Sequence, residues 1–228
     1  MFKCDKLQLL MAHFTLSVHK KVPLDAIRGE LGIHPMGFII VKRMFDFYCR
    51  AESQLPDSLL GQAFIEAKKI RGSWFTTINK LLSVGETVSC ESGKISELLP
   101  LPTRCDTMLR NLRAAFDRAW LDAICKQGAK LRTYSLFKTH FQAECYLSKV
   151  RIAAHRFSLS RLRMSGHFLR IETGRFQRHS HIPASERFCK LCNTGEVEDE
   201  FHFLIRCPLY KALRENLYTA ADLSCKNF

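Results

Sequence analysis

The chain has 228 residues, 46% of them hydrophobic and 25% charged, with 10 cysteines and a formal net charge of +13. That length and apolar content suffice for one large or two small domains, and they exclude a wholly disordered tail or a disulfide-stapled miniprotein. The longest purely apolar runs, such as Phe38-Ile39-Ile40-Val41, fall far below the ~20 residues that span a bilayer, so neither a membrane helix nor a membrane partner is expected.

The first part of the chain reads as a string of short helices. Leu7, Leu10, Met11 and Phe14 recur at helical steps and predict a first helix with these side chains in the core. This opening also lacks a usable secretory signal, because Gln8, His13 and Thr15 interrupt the stretch from Leu7 to Val18 and no clear cleavage site follows. An intracellular protein, nuclear or cytoplasmic and not secreted, is therefore expected, with its cysteines reduced or bound to metal. Val22-Pro23-Leu24 to Gly32 predicts a proline-started helix stopped by glycine. Met36 to Cys49 predicts an amphipathic helix with Ile39, Ile40, Met44 and Phe47 inward, Pro56-Asp57-Ser58 opens another that ends near Ile70, and Ser73 to Leu82 gives one more.

Residues 85–103 combine Gly, Ser and Pro without sustained periodicity and read as a linker after an N-terminal helical region, 1–84. Beyond it, Leu109, Leu112, Phe116, Trp120 and Ile124 predict a long helix over Asp106–Lys126, with Arg110, Arg113 and Arg118 off the apolar stripe and Gln127-Gly128 closing it. A second helix is expected over 151–169, with Ile152, His155, Leu159, Leu162, Gly166 and Leu169 as its inward seam. On such a helix Arg156, Arg163 and Arg170, spaced by seven, share a stripe with His167 close by. A loop holding Arg175 and Arg178 follows, and with it His179 and His181, for which no role as extra metal ligands is needed.

Charge is concentrated in this middle region. Residues 104–188 form the expected basic helical region, and the segment 103–188 holds 17 Lys/Arg against 6 Asp/Glu, a net +11, whereas 1–102 nets +3 and 189–228 nets −1. Such a block fits a polyanionic partner, nucleic acid gripped through its phosphate backbone. Arg156, Arg163, His167, Arg170, Arg175 and Arg178 are the candidate contacts, against the plainer reading of a solvated basic surface.

The last forty residues, 189–228, carry the pattern with the clearest chemistry. Two residues separate Cys189 from Cys192, nine separate Cys192 from His202, and four separate His202 from Cys207. Three thiolates and one imidazole are the closed tetrahedral ligand set of a structural Zn²⁺, so these four are the expected metal ligands. A redox pair at Cys189 and Cys192 would leave His202 and Cys207 unexplained. Gly195 stands where the turn calls for a positive φ, and Pro208 opens a helix that carries Leu209, Leu213 and Leu217 behind Cys207. The filled site would sum to about −1, which makes it a folding element rather than the main phosphate contact, with Arg187, Lys190 and Arg206 offsetting its charge.

Leu162-Arg163, Leu169 through Arg175, and Ile182-Pro183-Ala184-Ser185-Glu186-Arg187-Phe188-Cys189-Lys190-Leu191-Cys192 resemble the tail of reverse transcriptases encoded by LINE-type (non-LTR) retrotransposons. Glu198 through Leu204, Cys207-Pro208-Leu209-Tyr210 and Leu213 through Leu217 look like that family's zinc-binding segment downstream of the polymerase. Val18 through Lys21, Arg28 through Gly32 and Asp57 through Gly61 are similar, less tightly, to the segment that leaves the polymerase thumb. The resemblance implies a C-terminal fragment that once positioned template or target for a polymerase. Reverse transcriptases hold catalytic Mg²⁺ with two adjacent aspartates, and no Asp-Asp pair exists here; only 21 residues follow Cys207, too few for a nuclease domain. The expectation is therefore an all-α, non-catalytic protein that binds RNA or target DNA. A protein-interaction module docking through the terminal helix, or a decayed fragment without function, are the alternatives.

Overall fold

In the computed structural model, which describes residues 3–89, 100–126, 130–176 and 182–220, the chain is all-α: eleven α-helices and two isolated bridges, Leu31–Ala143 and Phe188–Val197, account for its regular pairing among those residues. The early helices fall where the sequence places them: α1 Lys3–Leu16, α2 Leu24–Leu31, α3 Met36–Glu52, α4 Leu59–Lys69 and α5 Trp74–Ser89. Ser58 begins α4 as a side-chain cap, its Oγ accepting the Gly61 N–H at 3.0 Å. Helix α6 runs Leu101–Lys126, five residues earlier than the periodicity suggested. Helix α5 reaches Ser89 and α6 starts at Leu101, so residues 85–89 and 101–103 of the expected 85–103 linker are helical, while 90–99 lie outside the described residues, as does Gln127-Gly128.

Short helices then follow: α7 Tyr134–Phe137, α8 Tyr146–Lys149, α9 Ala153–Arg163, α10 Arg170–Thr173 and, at the end, α11 Lys211–Ala220. Helices α1, α2 and α9 share one ending. At α2, Gly32 has φ +63, its N–H reaches Gly29 O and the Ile33 N–H reaches Arg28 O at 3.1 Å, the paired 5→2 and 6→1 bonds of a Schellman cap. Ser17 (φ 50) and Ser165 (φ 54) take the same left-handed position after α1 and α9, without the glycine that usually marks it. The cap at Ser165 is why α9 stops at Arg163 instead of continuing to residue 169.

The chain divides into two compact units. The first takes Met1–Met11, Arg28–Ala123 and His140–Ala143. Its core gathers Phe45, Tyr48 and Ala51 of α3, Phe64 of α4, Ile78 and Leu82 of α5, and Cys105 and Met108 of α6. Two expectations fail here. Leu7, Leu10 and Met11 are 58–69% exposed and Phe14, beyond this unit, is 87% exposed, because Asp5 and Gln8 fix the rotation of α1: Asp5 Oδ1 accepts the Met36 N–H at 2.9 Å and Gln8 Nε2 donates to His34 O at 2.9 Å. The buried side is instead Leu9, Ala12 and Leu16. In α3, Ile39, Ile40 and Phe47 are turned outward in part, while Met44 packs on the core. The stripe of α6 holds better, with Trp120 and Ile124 buried, Leu109 and Leu112 against the core, and Arg110, Arg113 and Arg118 exposed.

The second unit takes Ala12–Ile27, Ile124–Thr139 and Glu144–Phe228. Leu16, Ile27, Ile124, Leu131, Tyr134 and Met164 are fully buried in it. Tyr134 donates its hydroxyl to Ala26 O at 3.1 Å, and Arg161 clasps the turn after α1 through Ser17 O (2.8 Å) and Ser17 Oγ (2.9 Å). The inward side of α9 is Ser160 with Met164 beyond it, not the expected seam: Ile152 and His155 are exposed, and Leu159 and Leu162 are half-buried. Ser160 is tolerated there because its hydroxyl meets Tyr146 OH at 2.7 Å.

Candidate metal centre

Residues 187–207 fold around a short hairpin. Cys189 N–H donates to Glu196 O at 2.8 Å and Glu198 N–H to Arg187 O at 2.9 Å, closing the Phe188–Val197 bridge. Between them Gly195 makes the turn at φ +69, and a side chain there would meet nothing within 4 Å, so backbone conformation alone calls for glycine. The other two ligands come from a π-turn, His202–Arg206, whose last bond runs from Cys207 N–H to His202 O at 2.7 Å. In an ordinary α-helix, residues five apart point about 140° away from each other. The wider winding of a π-turn brings them back to one side. The His-x4-Cys spacing is matched to that turn.

The outcome is one cluster: the ligand atoms of Cys189, Cys192, His202 and Cys207 all lie within 4.8 Å of one another. Cys192 Sγ and His202 Nε2 are 3.3 Å apart, against about 3.6 Å between a sulfur and a nitrogen bound to the same tetrahedral Zn²⁺. Cys189, His202 and Cys207 are buried, and Cys192 is half-exposed. The Thr194 hydroxyl, 3.1 Å from Cys192 Sγ, and the Thr194 backbone hold that thiol down at about 6, so it is anionic near neutral pH. Burial pushes the Cys189 thiol the other way, so this sulfur favours the neutral thiol unless a cation beside it stabilises the thiolate. Four donors of this chemistry, converging and mostly shielded from water, fit a closed metal site with no open coordination position.

Around the cluster every carboxylate has an assignment. Asp199 Oδ1 accepts the His202 N–H at 2.7 Å, Glu196 Oε2 meets His202 Nδ1 at 2.9 Å, and Glu198 Oε2 accepts the Arg170 N–H at 2.9 Å. Glu200, 3% exposed, joins a buried network: Arg132 Nη2 lies 2.6 Å from it and Arg132 Nη1 2.9 Å from Glu172, which Lys130 reaches at 3.1 Å and Arg175 at 3.3 Å. Burial opposes ionisation of Glu200, but the hydrogen bond from His167 and the charge of Arg132 outweigh it and keep its carboxyl below the usual range.

This network changes the reading of the basic segment. His167 Nε2 sits 2.7 Å from Glu200, Arg163 is 2.8 Å from Glu144 with its guanidinium 4.3 Å above the Phe137 ring, and Arg156 donates to Val150 O at 2.8 Å. Arg170 begins α10, a separate helix, so Arg156, Arg163 and Arg170 do not lie along one continuous helical stripe. Arg175 pairs with Glu172, and Arg178, His179 and His181 lie outside the described residues. Arg187 is 2% exposed and gives its donors to the carbonyls of Ile171 and Ile182. Glu172 and Glu200 were missed in the sequence; for Glu172 the available signal was that 103–188 has so few acids to share among its cations, and Glu200 lies beyond that segment.

The chain matches no family model, no curated protein and no solved structure. No helix among the described residues is long and apolar enough to cross a membrane.

Proposed function

We propose that the chain is a non-catalytic, zinc-stabilised nucleic-acid-binding segment, the part of a LINE-type reverse transcriptase that follows the polymerase domain. The ligand set and its convergence support Zn²⁺ as the ion, since three thiolates and an imidazole suit a tetrahedral d¹⁰ cation. Its chemistry is to fold the terminal module; the donors leave no position for a substrate.

The observation that carries the binding role is the excess of exposed cations over exposed acids among the described residues of the basic segment. Glu172 is buried in the ion-pair network and Glu144 is largely so, whereas Arg110, Arg113 and Arg118 of α6 in the first unit, and Lys149 and Arg151 before α9 in the second, are exposed and outnumber the exposed acids Asp106, Asp122 and Glu186. These outward cations, with the exposed His155, supply sequence-independent attraction to phosphates.

Filter binding of RNA and duplex DNA at two salt concentrations, with and without chelator, tests the proposal. Affinity should fall steeply with salt, by roughly 0.9 units of log–log slope per duplex phosphate contact. Salt-independent binding, or none, would sink it. A second reading has its own observation: α11 turns Leu213 (66%) and Leu217 (61%) outward, with Leu209 (55%) just before it, as on a helix that docks onto another protein. That reading predicts capture of a protein partner insensitive to salt and no affinity for nucleic acid.

A further inference from the structure

We infer that Glu196 is the positioning residue of the metal centre, fixing which imidazole nitrogen of His202 faces the ion; this rests on a metal occupying the four-ligand cluster. Imidazole binds metal through an unprotonated nitrogen, and the partner of the other nitrogen decides which one that is. The Glu196 carboxylate, 2.9 Å from Nδ1, pins the proton there and leaves Nε2 as the donor, the atom that faces Cys192 Sγ at 3.3 Å.

Glu196 holds the centre from more than one side. Its carbonyl accepts the Cys189 N–H at 2.8 Å, and its second carboxylate oxygen is 3.9 Å from Arg206 Nη1, one residue before Cys207. The neighbouring acids have other partners: Asp199 takes the His202 backbone, Glu198 the Arg170 backbone, and Glu200 takes Arg132 and His167. Only Glu196, of these four, meets the ligand ring. Because the Cys189 bond is made by the carbonyl, changing the side chain leaves it in place, and Glu196, 41% exposed at its side chain, is not part of the buried core.

The test uses the full chain with Zn²⁺ as probe, in wild type, Glu196→Ala and Glu196→Gln. Competition with a chromophoric chelator reads affinity, and long-range ¹H–¹⁵N correlation of the zinc-loaded protein reads the His202 tautomer. Glu196→Ala should weaken Zn²⁺ by roughly 10- to 100-fold, the usual loss on removing an outer partner, and make the His202 Nδ1 proton exchange faster. Glu196→Gln, whose amide oxygen accepts the same hydrogen bond, should restore most of both. Wild type that binds Zn²⁺ alongside Glu196→Ala of equal affinity and unchanged Nδ1 proton overturns this inference alone, as does coordination through Nδ1. Wild type that binds no Zn²⁺ overturns it together with the metal centre.

Discussion

Arg132 Nη2 sits 2.6 Å from both carboxylate oxygens of Glu200, a residue 68 positions later in the chain and two before the histidine ligand. Through this pair the segment after α6 is anchored to the metal-binding module. Glu200 is almost fully buried, so removing Arg132 leaves its charge in a poor solvent with His167 still beside it. Arg132→Met should cost about 3 kcal/mol and lower Tm by roughly 6–12 °C for a chain of this size, read by thermal denaturation with Zn²⁺ present. A shift within 1 °C would mean the pair carries no net stability.

The two sets of arginines should behave differently. Arg110, Arg113 and Arg118 changed together to Ala should leave Tm near wild type and flatten the salt dependence of nucleic-acid binding by up to about 3 units of log–log slope. Arg156, Arg163 and Arg170 changed together should instead lower Tm, since Arg163 loses Glu144 and the Phe137 face, and Arg156 loses the Val150 carbonyl. Parallel melting and filter-binding curves on both variants separate the roles; the reverse assignment would require the binding surface to be redrawn.

Helix ends offer a test with opposite signs. Ser165 holds φ 54 and its buried hydroxyl has no hydrogen-bond partner, so Ser165→Gly should stabilise the protein by about 1 kcal/mol in urea denaturation. Gly32→Ala should destabilise it by more than about 2 kcal/mol, because φ +63 is strained for alanine and the new methyl would meet backbone atoms of Gln142 and Ala143 that cannot move aside cheaply.

His34 predicts a pH dependence. Its ring lies among Phe38, Phe116 and Phe141 at centroid distances of 5.1, 5.2 and 4.7 Å. Burial, followed by the nearby Arg113 charge, lowers its pKa from 6.5 despite the opposing pull of Asp117. A depressed pKa means that the unfolded chain takes up the proton first, so the stability associated with neutral His34 is complete above about 6.5 and declines as pH falls through the folded value. His34→Phe, which suits the same aromatic surroundings, should have a flatter stability profile below pH 6.5 than wild type. Superimposable profiles would show that His34 does not titrate with folding.

Metal removal is the most direct check on the terminal module. Purified protein should release one Zn²⁺ per chain on thiol modification, and Cys207→Ser should weaken binding by more than the roughly 10- to 100-fold expected for an outer partner, since a fully buried thiolate is lost. Chelation should expose the Cys189 and Cys207 amides to hydrogen exchange, because their bonds to Glu196 O and His202 O hold the module closed.

The helices and the metal ligands were legible because each depends on local spacing: Pro23 and Gly32 bracket α2, Ser58 caps α4, and the four ligands converge as their intervals suggest. Which side of a helix faces inward was less legible. Helix α1 has apolar residues on two sides, and a polar pair, Asp5 and Gln8, decides between them through bonds to residues about thirty positions away. The break after Arg163 was hidden because serine rather than glycine occupies the left-handed cap. The fate of the arginines was hidden for a similar reason: periodicity places Arg163 and His167 on a helix, but Glu144 and Glu200, distant in sequence, determine what they touch.

Each unit is stitched from three separate stretches of chain, and helices α1, α2 and α6 contribute residues to both. No single cut therefore yields both units intact. A truncation between α5 and α6 would take Cys105 and Met108 out of the first core and Leu16 and Ile27 away from the second unit. Dissection of this protein is better done by point substitution than by deletion, and loss of activity in a shortened fragment would report a broken scaffold before it reported a missing binding surface.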